Sequence, residues 1–447
     1  MSGDMVRGGL AKSLIRFSIP LVLSGVLQQM YAWADAFVVG NLVGEGALAA
    51  IGATTALNNL FVMAITGLAL GVSLLSAQLY GQGAKGEMEK LLATFTLTFG
   101  GVFLVLAGAG SLTAGTLLAL IHTPGDIAGQ AEEYLQIVLL GLPFVAVYQV
   151  YAAVLRGMGE SKAPLYAVLA AALINVGLDL VLVGPCRMGV KGAAAATLAA
   201  QGMMAAFMWF YAARYRALRL PHWKTRGWIE GALFRKGIGL GLPIAIQSSI
   251  SSLGSVALQN FMNGFSSATV AAITTAYRVD TVIMLPVTNL SAGISTAAAQ
   301  NIGTRKPERA RRALAVGSAM MLVVTAALAM LVAVVGGNLI AMFGVTAEAT
   351  AIGRSFFRSI SIFYPIYGLA MALRGYLEGI GDVLFSSGVG LSALGLRICL
   401  SYGLADIMGN QIISYAEAAS WWAMLLLFAL RFLWKKSRVT PEQSALE

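Results

Sequence analysis

Apolar stretches separated by short polar knots run from one end of this chain to the other. A bilayer core takes about 20 predominantly apolar residues per helix, and on that measure the pattern predicts helices over 14–40, 47–79, 90–121, 131–157, 163–184 and 190–214. After a polar stretch at 215–233 it predicts six more, over 234–263, 267–300, 310–342, 350–375, 383–408 and 412–436. Several of these exceed the minimum, so their ends are expected to project or tilt.

The pattern also repeats. Pro20, Gln78, Pro143, Gly157 and Gly159 recur as Pro243, Gln300, Pro365, Gly379 and Gly381, 223 residues on for the first and 222 for the rest. FSIPLVLSG (17–25) answers LGLPIAIQS (240–248), and SAQLYGQG (76–83) answers AAQNIGTR (298–305). The expected fold is therefore all-α and membrane-embedded: twelve helices in two six-helix lobes, residues 1–214 and 234–447, joined by a cytoplasmic link at 215–233. An even number of helices per copy gives both the same orientation, related by a pseudo-twofold axis along the membrane normal.

Composition fits a membrane chain. Hydrophobic residues make up 58% and charged residues 11%, more apolar surface than a soluble fold of this length hides. The formal net charge of +10 follows from topology. Of the 30 Lys and Arg, 24 fall at the N-terminus, at the even-to-odd loops or at the C-terminus, whereas Arg187, Lys191, Arg354 and Arg358 serve the other side. By the positive-inside rule both termini are expected in the cytoplasm. The basic runs then face lipid headgroups and need no nucleic acid as partner. Arg7, Lys12 and Arg16 precede a stretch from Phe17 to Gly40 as long as a span, so these residues are expected to open the first helix, not a cleaved signal.

An ionisable side chain inside the membrane is costly and marks a functional candidate. Asp35 lies in the first span, Asp179 in the fifth, Arg278 and Asp280 in the eighth and Arg397 in the eleventh. At about 1.5 Å per residue, Asp35 lies roughly 29 Å and Asp179 roughly 24 Å from the cytoplasmic starts of their helices, and Thr197 lies about 10 Å in from the outer end of its own. Asn175 is one turn from Asp179 on the same face. Two carboxylates, an amide and a hydroxyl at one depth suit a sodium ion or a proton shared by crowded acids. The structural alternatives are a wetted helix end for Asp35 and a bundle-gluing hydrogen bond for Asp179 with Asn175.

In the second half, Arg278, Asp280 and Arg397 sit near the midplane, and Asp280 is expected to meet Arg397, since Arg278 points elsewhere on its own helix. That cluster serves either structure or transport. Glu417, near the outer start of the last span, reads as interfacial. Pro20 is the candidate hinge of the first helix, with Pro243 its counterpart; Pro143, Pro286 and Pro365 offer further kinks. Gly67 and Gly71 form a GxxxG that permits close helix contact. GQGAKG (81–86) lacks the strand a dinucleotide fingerprint requires, and there is no Walker A sequence. His122 and His222 alone make no histidine metal cluster. Cys186 and Cys399 define no disulfide framework.

These residues resemble the multidrug and toxic compound extrusion (MATE) family. The resemblance rests on the first-helix proline followed by Asp35, on SAQLYGQG (76–83), LRGMGES (155–161), NVGLD (175–179) and LEGIGD (377–382). It implies two lobes that exchange a cytoplasmic organic substrate, often cationic, for incoming Na⁺ or H⁺, with the cation site at Asp35, Asn175, Asp179 and Thr197. The stretches PIAIQSSISSLGS (243–255) and FYPIYGLAM (363–371) lack the acids of the NorM-like branch. The chain thus looks more like the DinF-like branch, with coupling left to the first lobe. The expected protein is no enzyme but a monomeric secondary antiporter of small organic compounds in a prokaryotic cytoplasmic membrane, in contact with lipids and using no cofactor beyond the coupling ion. The alternative is a flippase for a lipid-linked precursor, whose basic cavity would need more midplane cations than Arg278 and Arg397.

Overall fold

The computed structural model describes residues 5–214, 218 and 229–438, so most of the expected 215–233 link lies outside the described residues. Within them the first half comprises α1 (Leu10–Leu42), α2 (Glu45–Gly81), α3 (Lys85–Leu112), α4 (Ala114–Leu120), α5 (Gly125–Leu139), α6 (Leu142–Gly157), α7 (Lys162–Val183) and α8 (Gly189–Arg214). The second half comprises α9 (Gly231–Met262), α10 (Ser267–Ile283), α11 (Leu285–Gly303), α12 (Pro307–Ala341), α13 (Ala347–Ser361), α14 (Tyr364–Gly379), α15 (Val383–Gly403), α16 (Ala405–Met408) and α17 (Ile412–Arg438).

Among the described residues, 9 segments are long and apolar enough to cross a bilayer by themselves. Three bent pairs complete the twelve: α5 with α6 at 41°, α10 with α11 at 40° and α13 with α14 at 54°. Each bend falls beside a proline, Pro143, Pro286 or Pro365, in the first turn of the second helix. Proline has no N–H to donate to the preceding turn and its ring crowds it, so the ladder stops there and the chain bends. Pro20 and Pro243 behave differently, because α1 and α9 remain helical through them.

Contacts sort the chain into two compact units whose bounds differ from the expected 1–214 and 234–447. Ile19–Ala245 forms the body of the first unit, and Met5–Ser18 belongs with the residues from Ile246 onward. The start of α1 is thus part of the second unit and the start of α9 part of the first. Glycines explain the second assignment. A Cβ on Gly71 of α2 would lie 2.2 Å from the Gly241 nitrogen, and one on Gly67 would lie 2.5 Å from the Ala245 Cα. The GxxxG pair therefore lets α9 touch α2 backbone to backbone.

The second unit holds α1 at the equivalent place. A Cβ on Gly293, 222 residues after Gly71, would lie 3.0 Å from the Ser18 hydroxyl, which donates to the Asn289 carbonyl at 3.4 Å. Ahead of the helix, the Met5 amide donates to Gln300 at 3.2 Å, and Arg309 donates to the Gly8 carbonyl at 2.7 Å. The buried amide of Asn301 also donates to the Met5 carbonyl, at 3.2 Å.

Candidate functional site

The first unit gathers its intramembrane polar groups at one place. On α7, Asn175 and Asp179 stand one helical turn apart, and both are fully buried. The last third of α1 brings half-buried Asp35 close enough to Asp179 for the two carboxylates to feel each other's charge. Both are acceptors when ionised, so neither satisfies the other. One oxygen of Asp35, both of Asp179 and both amide atoms of Asn175 are buried without a hydrogen-bond partner. Buried polar groups are nearly always paired, so five such atoms in one spot mark a site built for something besides helix packing.

Thr197 of α8 joins the group through a residue that sequence reasoning missed. Tyr134 of α5 lies beside Thr197 and near both Asp35 and Asp179; Tyr31, one turn before Asp35, lies near Asp35. No charge or motif at position 134 signals this. One turn beyond the acids, Val39 and Val183 are buried in a small apolar cluster with Val38, Tyr134, Val138, Val190 and Ala193. That cluster packs apolar side chains beside the site, and a low dielectric strengthens the electrostatic interactions next to it.

The second unit departs from expectation. Arg397 donates to Glu417 at 3.0 Å and to the Tyr277 hydroxyl, while its guanidinium lies 5.5 Å from the Tyr277 ring centroid. Tyr277 in turn donates to Glu417 at 3.3 Å. Glu417, expected at the interface, is only 8% exposed and is the arginine's partner. Asp280 does not take that place and instead accepts from the Tyr364 hydroxyl at 2.6 Å. Arg278 is exposed and lines a separate recess with Asn263 and Thr274, so it leaves the expected cluster. One helical turn is 3.6 residues, so positions 278 and 280 point to different sides of α10.

Nine apolar helices and three bent pairs among the described residues, a duplicated unit and a close pair of intramembrane acids fit a multi-pass membrane transporter. The family model MatE matches residues 20–181 and again 243–403. The chain belongs to this family, the MATE multidrug efflux transporters, and the two matched stretches begin 223 residues apart, at the repeated prolines. It is 28% identical over 424 residues to the probable multidrug resistance protein YpnP of Bacillus subtilis strain 168, covering 89% of this chain and 94% of that one. It is 27% identical to the probable multidrug resistance protein YoeA of the same organism, covering 96% and 95%. Its fold matches a crystal structure of MATE in the bent conformation with a TM-score of 0.90 at 19% identity, covering 99% and 98% of the two chains.

Proposed function

We propose that this transporter exports small organic, often cationic, compounds from the cytoplasm in exchange for H⁺ or Na⁺, and that Asp35, Asn175, Asp179 and Thr197 bind the coupling ion. The observation that supports this reading is the buried, donor-free pairing of Asp35 with Asp179. Two like charges in a buried place repel, and each has lost water. A proton or a sodium ion between them relieves both costs, and the oxygens of Asn175 and Thr197 are the ligand type sodium prefers.

Such a site drives transport only if ion and substrate favour different conformations, because a ligand that binds both states equally shifts neither. Asp35 is suited to that role. It sits on α1, which begins in the second unit and remains helical through Pro20, a residue just inside the first unit. A change at Asp35 therefore acts on a helix shared by both units, with Pro20 as the hinge. The charge distribution along the chain supports cytoplasmic termini.

Proteoliposomes with separately imposed ΔpH and ΔNa⁺ test the reading. Efflux of a fluorescent cation should follow one of the two gradients in the parent and be lost in both Asp35→Asn and Asp179→Asn. Parent-like pumping by either variant overturns the assignment.

A further inference from the structure

We propose that the second unit holds an anion site apart from its ion pairs, a recess in which Arg278 receives a phosphate ester. The recess, of about 610 Å³, is formed by the α9–α10 connection and one face of α10, and its lining lies wholly within that unit. Such a volume falls within the roughly 300–1,000 Å³ of small-molecule sites.

Helical spacing builds it. Ser267, Thr274 and Arg278 fall two turns and then one turn apart, so they share a face of α10, while Asn263 and Phe265 line the recess from the connection. At about 1.5 Å per residue, Arg278 lies roughly 16 Å along α10 from Ser267. A cation at that depth in a membrane helix is costly without a partner. Yet among the described residues Arg278 has neither a hydrogen bond nor an ion pair. Asp280, two residues on, lines a different cavity and accepts from the Tyr364 hydroxyl at 2.6 Å. Packing does not call for the charge either, since Arg278 is exposed and the position 222 residues earlier holds Ala56.

The lining supplies donors and no acid. Gln259 donates to the side-chain carbonyl of Asn263 at 3.0 Å, which leaves the Asn263 NH2 group free among the described residues. The hydroxyls of Ser267 and Thr274 have no partner among them. A guanidinium presents its N–H groups in a planar fork that matches two phosphate oxygens, and the amide and hydroxyls can bond the others. Phe265 and Val270 give the body attached to the phosphate an apolar wall. An organic cation would meet Arg278 with no carboxylate to offset it.

This site goes beyond the exchange of organic cations, and its test needs neither a gradient nor the acids of the first unit. Thermal melting of the full-length protein, stripped of lipid in a nonionic detergent and phosphate-free buffer, is followed with three additives: dihexanoyl phosphatidic acid, glycerol 3-phosphate and dihexanoylglycerol. The first carries phosphate and acyl chains, the second phosphate without chains, the third chains without phosphate. Phosphatidic acid should raise the melting temperature saturably, and dihexanoylglycerol should not. A response to glycerol 3-phosphate at similar concentration marks a soluble phosphate ester as the ligand; a far weaker one or none marks a lipid headgroup. Either supports the site. Arg278→Gln should weaken the apparent affinity about tenfold or more, and Arg278→Lys should recover part of it as a point charge. Equal shifts by phosphatidic acid and dihexanoylglycerol, or no saturable shift by either phosphate compound, overturn the proposal without recourse to any variant. So does parent-like affinity in Arg278→Gln, which would leave the guanidinium reaching only for water.

Discussion

Gly379 lies against the backbone carbonyl of Ser295, so close that a Cβ at 379 would stand 2.4 Å from the oxygen. The first half repeats the contact, since a Cβ at Gly157 would stand 2.7 Å from the Ser73 carbonyl oxygen. All four positions obey the 222-residue offset, and the loop glycines that follow, Gly159 and Gly381, share positive φ values of 81° and 90°. Close helix packing was thus duplicated with the sequence.

This symmetry predicts matched damage. Gly157→Ala and Gly379→Ala each force a methyl into backbone that cannot step aside, at a cost of about 1–3 kcal/mol. Both variants should melt earlier in detergent. Ala at Gly86, where an added Cβ meets nothing within 4 Å, should leave the melting temperature unchanged.

Asp382 predicts a pH dependence. It sits between α14 and α15 and receives Arg431 through two hydrogen bonds, of 2.8 and 3.1 Å, with Lys435 at 3.1 Å. Burial pushes its carboxyl up, but these cationic donors outweigh burial and hold it below the ordinary 3.8. A depressed folded value means the stabilisation is complete above pH 3.8 and is lost as the pH falls through the folded value. The melting temperature of Asp382→Asn should therefore lie below that of the parent near neutrality, by an amount matching about 2 kcal/mol. The gap should close as the pH drops below 3.8. A gap of constant size across that range would show that Asp382 acts by packing alone.

The Arg397–Glu417 pair predicts a double-mutant cycle. With the arginine side chain 19% and the glutamate side chain 11% exposed, removing one partner strands the other in a poorly solvated place. Glu417→Leu and Arg397→Met should each destabilise the protein by about 3 kcal/mol. Together they should cost much less than the sum, as measured by thermal melting in detergent. Additive costs would mean that the pair is not coupled.

Tyr134 should matter although it carries no charge. Removing its hydroxyl in Tyr134→Phe leaves the ring in its apolar cluster but withdraws the polar group that stands beside Thr197 and the two acids. Gradient-driven efflux should fall by about fivefold, with the melting temperature nearly unchanged. A drop in stability with normal transport would assign Tyr134 to packing.

Much of this protein is legible along its chain. Apolar length fixed the spans, and the proline positions foretold all three bent ones, because a missing N–H acts within one turn. Asn175 and Asp179 could be placed on one face because helical periodicity is local, and rise per residue put Asp35 at a matching depth. What a helix faces is a different matter. Whether Arg397 meets Asp280 or Glu417 depends on how α10, α15 and α17 are turned about their axes, which packing among all the helices decides. Tyr134 and Glu417 became visible for the same reason, only once neighbouring helices brought them beside a charge. The starts of α1 and α9 likewise left their expected units because glycines far along the chain, at 71 and 293, allowed a closer approach there. Sequence by itself determined the repeat, the spans and the acids of the first unit; tertiary packing decided which charges are matched and which one is left over.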